Sequence, residues 1–459
     1  MASRGSSHEA KLPPPPCPQP TSPPETVPLL VTVLAGNVVT AAMVAACLNT
    51  VDATVLRRLH PAIAAAVAEV PWADTQTMVG DIAAWRAALP AAVGCKLRRR
   101  LSGRFTGTST GTCKAFGDAD MALLPPTLRS LDASYCRGLT KDVSFAHLTV
   151  LDRLDCSGVF VMAAGVPVAR LPSSLRELCL DDCSLHAAAD FSHLRALRLL
   201  ECRGMSGGVI SSTTIASLPP SLGMFYYCGE SDSEWPPSGS LAHLTRLRHL
   251  RVSRTLIPAA VVATLPPSLQ SLDLGDCTFT GPTLISFAHL HCLYTLNVCN
   301  SNIDDAALST LPPSLVSLEL HIDMASRKGR LTPVAVFPPL PALRVLNVCS
   351  TGIGDAAVAS MPPGLMKLHM VDCVNVTCLA SLDHLTALRV LQSSGTDVSP
   401  AAIASCRARG CVAPFDGVVA DATACRVHVV LLPDGRLVSS TPTGRVALWE
   451  AVHGAAPLG

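Results

Sequence analysis

Aromatic side chains are scarce in this chain, 4% of 459 residues, and charged ones make up only 15%. The first scarcity excludes a core of large rings and leaves Leu, Val and Ala to fill it, within a hydrophobic share of 49%. The second, with 35 basic against 34 acidic side chains and a formal net charge of +1, excludes the basic stripe expected of nucleic-acid binders. No H-E-x-x-H and no Walker-type phosphate loop occurs, so the chain is expected to be no enzyme and to need no cofactor. Met1 to Val27 lacks the apolar stretch after a basic start that a secretory signal requires. The 19 cysteines are therefore expected as reduced, mostly buried thiols of a cytoplasmic protein.

What the chain has in excess is proline, 37 residues, and self-similarity. One phrase recurs six times, as LLPPTLRSLDASYC from Leu123, LPSSLRELCLDDC from Leu171, LPPSLGMFYYC from Leu218, LPPSLQSLDLGDC from Leu265, LPPSLVSLEL from Leu311 and MPPGLMKLHMVDC from Met361. From Leu124 onward the spacings are 47, 47, 47, 46 and 50. A second phrase alternates with it: FAHLTVLDRLDCSG from Phe145, FSHLRALRLLECRG from Phe191, LAHLTRLRHLRVS from Leu241, FAHLHCLYTLNVC from Phe287, FPPLPALRVLNVC from Phe337 and LDHLTALRVLQSS from Leu382. Each holds L-x-x-L-x-L or a close variant. In Leu269-Gln-Ser-Leu272-Asp-Leu274 alternate side chains of a short strand point inward. One strand cannot bury its apolar side alone, so neighbours must stack into a parallel sheet with a continuous core. The strings GIGDAAVASMPPGL and NIDDAALSTLPPSL predict a return by one or two helical turns starting near Asp355 and Asp305, stopped by Pro-Pro.

Over about 124–400 these phrases resemble the leucine-rich repeat family, in wording closest to its trypanosomatid LPPSL type. The resemblance implies an α/β solenoid of about twelve coils with the parallel sheet on its concave face. Cys136, Cys183, Cys277 and Cys373 match the family's Asn/Cys position, where a small polar group caps the turn after the strand. Such a fold offers a surface rather than a reaction centre, and a protein partner is expected on the concave face.

The outward residues, in order, are Asp132, Asp155, Cys179, Glu201, Tyr226, Arg251, Asp273, Asn297, Glu319, Asn347, His369 and Gln392. Tyr and Arg are favoured at binding hot spots, which selects Met224, Tyr226, His249, Arg251 and Asp273 as the partner site. The insert Gly229–Ser240 is expected to add to that surface. His147, His193, His243, His289 and His384 recur at one phase. Equivalent positions two coils apart are about 10 Å from each other, too far to share an ion held at about 2 Å. They are expected to bond backbone, and no metal is expected.

The flanks carry weaker signals. Residues 1–28 read as a disordered Pro-rich tail. Residues 29–101 read as a helical bundle, with Asp52 as N-cap and Leu56, Leu59 and Ile63 on one helical face, the basic run Lys96–Arg100 ending its last helix, and 102–123 leading into the repeats. The Leu-Asn-Thr-Val-Asp52 turn, Leu56-Arg-Arg-Leu59 and Trp72 are similar to an F-box. That resemblance implies docking on a cullin adaptor through 29–72 and a role in a ubiquitin ligase. A rival reading makes Pro28–Leu48, 21 residues without charge, a membrane anchor. Residues 401–424 read as a linker. From 425 to 459 the string VHVVLLPDGRLVSSTPTGRVALWE resembles one WD40 blade, which implies a truncated or relic propeller.

Overall fold

A computed structural model describes residues 48–413, except 60, 98–115, 137, 160–166, 186–188, 205–209 and 324–328, together with 428–431 and 437–440. Two units divide the chain: residues 1–77 with 83–93, and residues 78–82 with 94–459.

In the first unit a helix runs Thr50–Leu56 and a second Pro61–Ala68. The N-cap is Asn49 rather than Asp52. Its side chain accepts from the amides of Val51 and Asp52, while the Asp52 carboxylate accepts from the Asn49 amide at 3.0 Å. Asp52 is the N3 member of this capping box. The first helix ends at Leu56, before Leu59, so the expected shared face does not form: Ile63 is buried and Leu59 is 55% exposed. Trp72 is buried and its indole donates to the Val67 carbonyl at 2.9 Å. No helix among the described residues is long and apolar enough to cross a membrane, and Pro28–Cys47 lies outside them.

The second unit is built mainly on one parallel sheet. All twelve strands expected from the phrases form and pair in chain order, from Ser130–Asp132 to Val390–Gln392. The sheet begins earlier than the repeat wording does. Met78–Val79 and Gly94–Leu97 supply two further rungs, so 29–101 is not wholly a helical bundle. Lys96 is a strand residue whose ammonium meets Asp132 at 2.8 Å, not the solvated end of a helix. At the other end Pro400–Ala408 is helical, with Ser399 as its N-cap and proline in its first turn, so the expected linker over 401–424 begins as a helix. Val412 then pairs with the last strand. The pair His428–Leu431 and Leu437–Ser440 forms an antiparallel hairpin. The rest of 414–459, like 1–47, lies outside the described residues.

The core is a column of leucines. At the centre of the twelve strands stand Leu131 through Leu391, with Phe225 the one aromatic, and none is more than 2% exposed. Each such burial contributes about 2 kcal/mol. The return path alternates. Coils leading into the Pro-Pro phrase carry a short helix, such as Asp305–Leu308 and Asp355–Ser360, as the sequence predicts. Coils leading into the other phrase carry no helix among the described residues. The two kinds of coil are latched together: Thr332 and Thr377 donate their amides to Asp305 and Asp355 at 3.0 and 2.7 Å. After most of the three- and four-residue strands the chain turns through a left-handed residue, among them Tyr135, Asp182, Asp276 and Asp372. At Gly158 that conformation is combined with crowding, since any Cβ would overlap the Tyr135 ring, so only glycine fits.

Candidate functional site

The Met224–Glu234 strand buries Phe225 and Tyr227 and turns Met224 and Tyr226 to the opposite face. Register then fixes the neighbours. Met224 stands beside His249, and Tyr226, Arg251 and Asp273 follow one another along one row. All five predicted side chains thus share one face. The Arg251 guanidinium meets the Asp273 carboxylate at 3.3 Å, and the Tyr226 hydroxyl donates to Met224 Sδ at 3.7 Å. Burial, reinforced by the Glu201 carboxylate, pushes the Tyr226 phenol up to about 12. Burial and the Arg248 charge hold the His249 imidazole below its ordinary range.

Two residues absent from the predicted set complete the cluster. Arg203 lies over the Tyr226 ring, 5.9 Å from its centroid, and pairs with Glu201 at 2.6 Å and Asp181 at 3.4 Å. Both stand just past the regular strand positions, in Asp181-Asp-Cys183 and Glu201-Cys-Arg203, so a rule reading only strand centres passes over them. Among the described residues one set, Cys179, Asp181 and Glu201, brings potential metal-binding atoms within 4.8 Å of one another. Both carboxylates already face Arg203. Burial and three neighbouring carboxylates keep the Cys179 thiol far above its ordinary range, and it donates to the Glu201 carboxylate at 3.4 Å.

The insert behaves differently from expectation. Residues to Glu234 continue as strand beside the His249–Pro258 strand, and Trp235 enters the core at 2% exposure, edge-on to Tyr227 at 5.7 Å. Its apolar bulk is therefore spent inside rather than on the face. The outward acids also serve the fold: Asp132, Asp155 and Asp273 accept the amides of Ser134, Ser157 and Gly275 at 3.0, 2.9 and 3.0 Å.

Of the repeated histidines, His193, His243 and His289 set Nε2 at 3.1–3.2 Å from the carbonyls of Leu171, Leu218 and Leu265 one coil back. That is the structural role expected of all five, but the buried Nε2 atoms of His147 and His384 have no hydrogen-bond partner among the described residues. The cysteine row works similarly, the thiols of Cys183, Cys277 and Cys373 donating to the carbonyls of Cys156, Val252 and Val348 at 3.0–3.2 Å. A Gly107-Thr-Ser-Thr-Gly111 string has the spacing of a nucleophile elbow and lies outside the described residues.

Stacked parallel rungs, a leucine column and a thiol-capped turn define a leucine-rich-repeat solenoid. In keeping with that class, the Leucine Rich Repeat family profile matches residues 268–290. No curated protein matches the chain by sequence. Among solved structures, an internalin from Listeria monocytogenes is similar at 18% identity over 59% of this chain and 82% of its own, with a TM-score of 0.42. A leucine-rich-repeat protein of Leptospira interrogans is 14% identical over 76% of this chain and 96% of its own, TM-score 0.45. YopM of Yersinia enterocolitica is 23% identical over 67% of this chain and 56% of its own, TM-score 0.44.

Proposed function

We propose that the chain is a non-enzymatic protein-interaction scaffold that takes its partner on the strand face, centred on Met224, Tyr226, His249, Arg251 and Asp273. The observation that carries this reading is the held geometry of Tyr226. Its ring is capped by Arg203, its hydroxyl is occupied by Met224, and the Arg251 side chain beside it is 42% exposed. Aromatic and guanidinium groups already fixed in place lose little freedom on binding. Quantitative affinity capture with the full chain and with Tyr226→Ala/Arg251→Ala tests it. Loss of the same partners from the variant, with an unchanged melting temperature, is the expected result. Identical capture by a folded variant removes the site.

A second reading, docking on a cullin adaptor through 29–72, is favoured by one feature of the first unit. Val51, Val55 and Leu59, spaced four residues apart, are 46%, 56% and 55% exposed, an apolar line that a partner helix would cover. Co-purification of a cullin adaptor with the full chain, lost in Val51→Asp/Val55→Asp, is the expected outcome. No adaptor with either form ends this reading and the ubiquitin-ligase role with it.

A further inference from the structure

Along the edge where the strands begin, one backbone ladder runs unbroken. Asp152 donates to the Arg129 carbonyl, Arg176 to Asp152, Arg198 to Arg176, Gly223 to Arg198 and Arg248 to Gly223, each at 2.7–2.9 Å. The six rungs therefore read Arg-Asp-Arg and then Arg-Gly-Arg. In the first triplet Asp152 takes both neighbours, Arg129 at 3.5 Å and Arg176 at 3.6 Å. In the second, Arg198 and Arg248 are exposed, and among the described residues neither has a carboxylate within ion-pairing distance.

The glycine has no backbone reason to be there. Gly223 is not among the positive-φ residues, and an added Cβ would meet nothing nearer than the Arg198 carbonyl at 3.6 Å. Two rungs separate the arginines, roughly 10 Å between their backbones, the same geometry that Asp152 bridges from within.

We infer that the carboxylate between Arg198 and Arg248 comes from a partner: an acidic polypeptide segment that sets an Asp or Glu side chain over Gly223. Guanidinium groups on either side supply the paired, charge-assisted hydrogen bonds that such a group takes. The inference rests on the strand-face reading and deepens it, because Met224 and His249 directly follow Gly223 and Arg248. Nucleic acid fits less well. The six rungs carry no aromatic side chain for base stacking.

The probe is a fluorescein-labelled glutamate–glycine peptide, titrated by anisotropy against the full chain at low salt, with an oligothymidylate of equal charge alongside. The peptide is expected to bind, and to bind at least about tenfold more weakly to Gly223→Glu and to Arg198→Gln/Arg248→Gln, the loss of a charge-assisted contact. Arg129→Gln/Arg176→Gln is expected to stay within about twofold, since Asp152 already occupies that pair. Asp152→Gly is expected to raise the stoichiometry by one peptide. Circular dichroism and melting curves establish that each variant folds. Where Gly223→Glu does not, Arg198→Glu/Arg248→Glu at two exposed positions takes its place. No peptide binding to the parent chain, undiminished binding by the folded variants, or tighter binding of the oligothymidylate overturns the inference. Partner capture lost in Tyr226→Ala/Arg251→Ala but kept in Gly223→Glu leaves the face reading standing and removes this one. The reverse pattern keeps the carboxylate site and removes the Tyr226 cluster.

Discussion

From Ser271 to Gln392 the main ladder is assembled from strands of three residues, whereas the two strands before it run to 11 and 10 residues. In the short-strand region each coil repeats the one two before it, and leucines fill most of the width, with Phe287 and Phe337 buried in alternate coils. In the long-strand region the register shifts between Cys228 and Ser233, and a side strand, Thr278–Thr280, adds to the outer half of His249–Pro258. That widened stretch draws on the chain's few aromatics, with Phe225, Tyr227 and Trp235 all buried there. The difference teaches that the repeat dictates its own packing until an insertion changes the width, after which larger side chains must fill what leucine cannot reach.

The sharpest way to break this comparison is to shorten the filler. Trp235→Ala is expected to cost about 4 kcal/mol, from lost burial and the cavity left behind. It also removes the indole donation to the Gly239 carbonyl at 2.9 Å and enlarges a small apolar gap lined by Trp235, Val252 and Val261. Leu318→Ala, in a regular coil, is expected to cost about 3 kcal/mol. Denaturant unfolding measures both. Hydrogen exchange should place the first loss on Met224–Pro258 and the second on the neighbouring short strands. A smaller cost for Trp235 than for Leu318 would make the insertion an ornament on an intact repeat core.

Next in size is the edge of the added ribbon. Asn302 closes it with one amide group, accepting from the Phe279 amide at 2.7 Å and donating to its carbonyl at 2.9 Å. An open strand edge invites pairing with another chain. Asn302→Ala is expected to lose about 2 kcal/mol and to raise self-association, read by sedimentation velocity. Unchanged sedimentation would mean that the ribbon edge is protected by other groups. In the regular region the corresponding link is the Asp355–Thr377 latch, and Thr377→Val there is expected to lose about 1 kcal/mol.

The phrases make the regular region legible because each strand there repeats one inward pattern. The positions of Leu296, Leu318, Leu346 and Leu368 follow from the repeat wording alone, as do the helix starts near Asp305 and Asp355. The long-strand region is legible only to Tyr226 and Arg251. Beyond Cys228 the pattern of the repeat gives no register, and Trp235 reads as part of an exposed loop. Of the candidate face, residues at strand centres are readable, while Asp181 and Arg203 are not, being positioned by the turn after the strand. The Arg198–Gly223–Arg248 edge is hidden for a different reason. A net charge of +1 averages a basic edge against acidic turns, and only pairing order reveals which charges adjoin.

The smallest expected effect bears on both regions at once. His249 belongs to the long-strand region and His369 to the short, and burial is the first cause holding each imidazole below its ordinary range. Arg248 adds to the effect on His249. Lys367 adds to it on His369, where Glu319 opposes. As pH falls through about 6.5, the ordinary imidazole value, the unfolded chain takes up these protons before the folded one does. The unfolded state then binds more protons, so stability must fall with pH across that window. The melting temperature is expected to drop between pH 7.5 and 5.5, and to drop less in His249→Asn and in His369→Asn. Hydrogen exchange at the lower pH should show His249→Asn protecting Met224–Pro258 alone and His369→Asn protecting the strands around Lys367. The Asp132 carboxylate, which burial raises but hydrogen bonds from Lys96 and Ser134 bring to a net value below its ordinary range, titrates at lower pH and leaves this window to the histidines. An undiminished drop in the double variant would place the acid sensitivity elsewhere in the chain, and the two regions would then share a packing logic without sharing this titration.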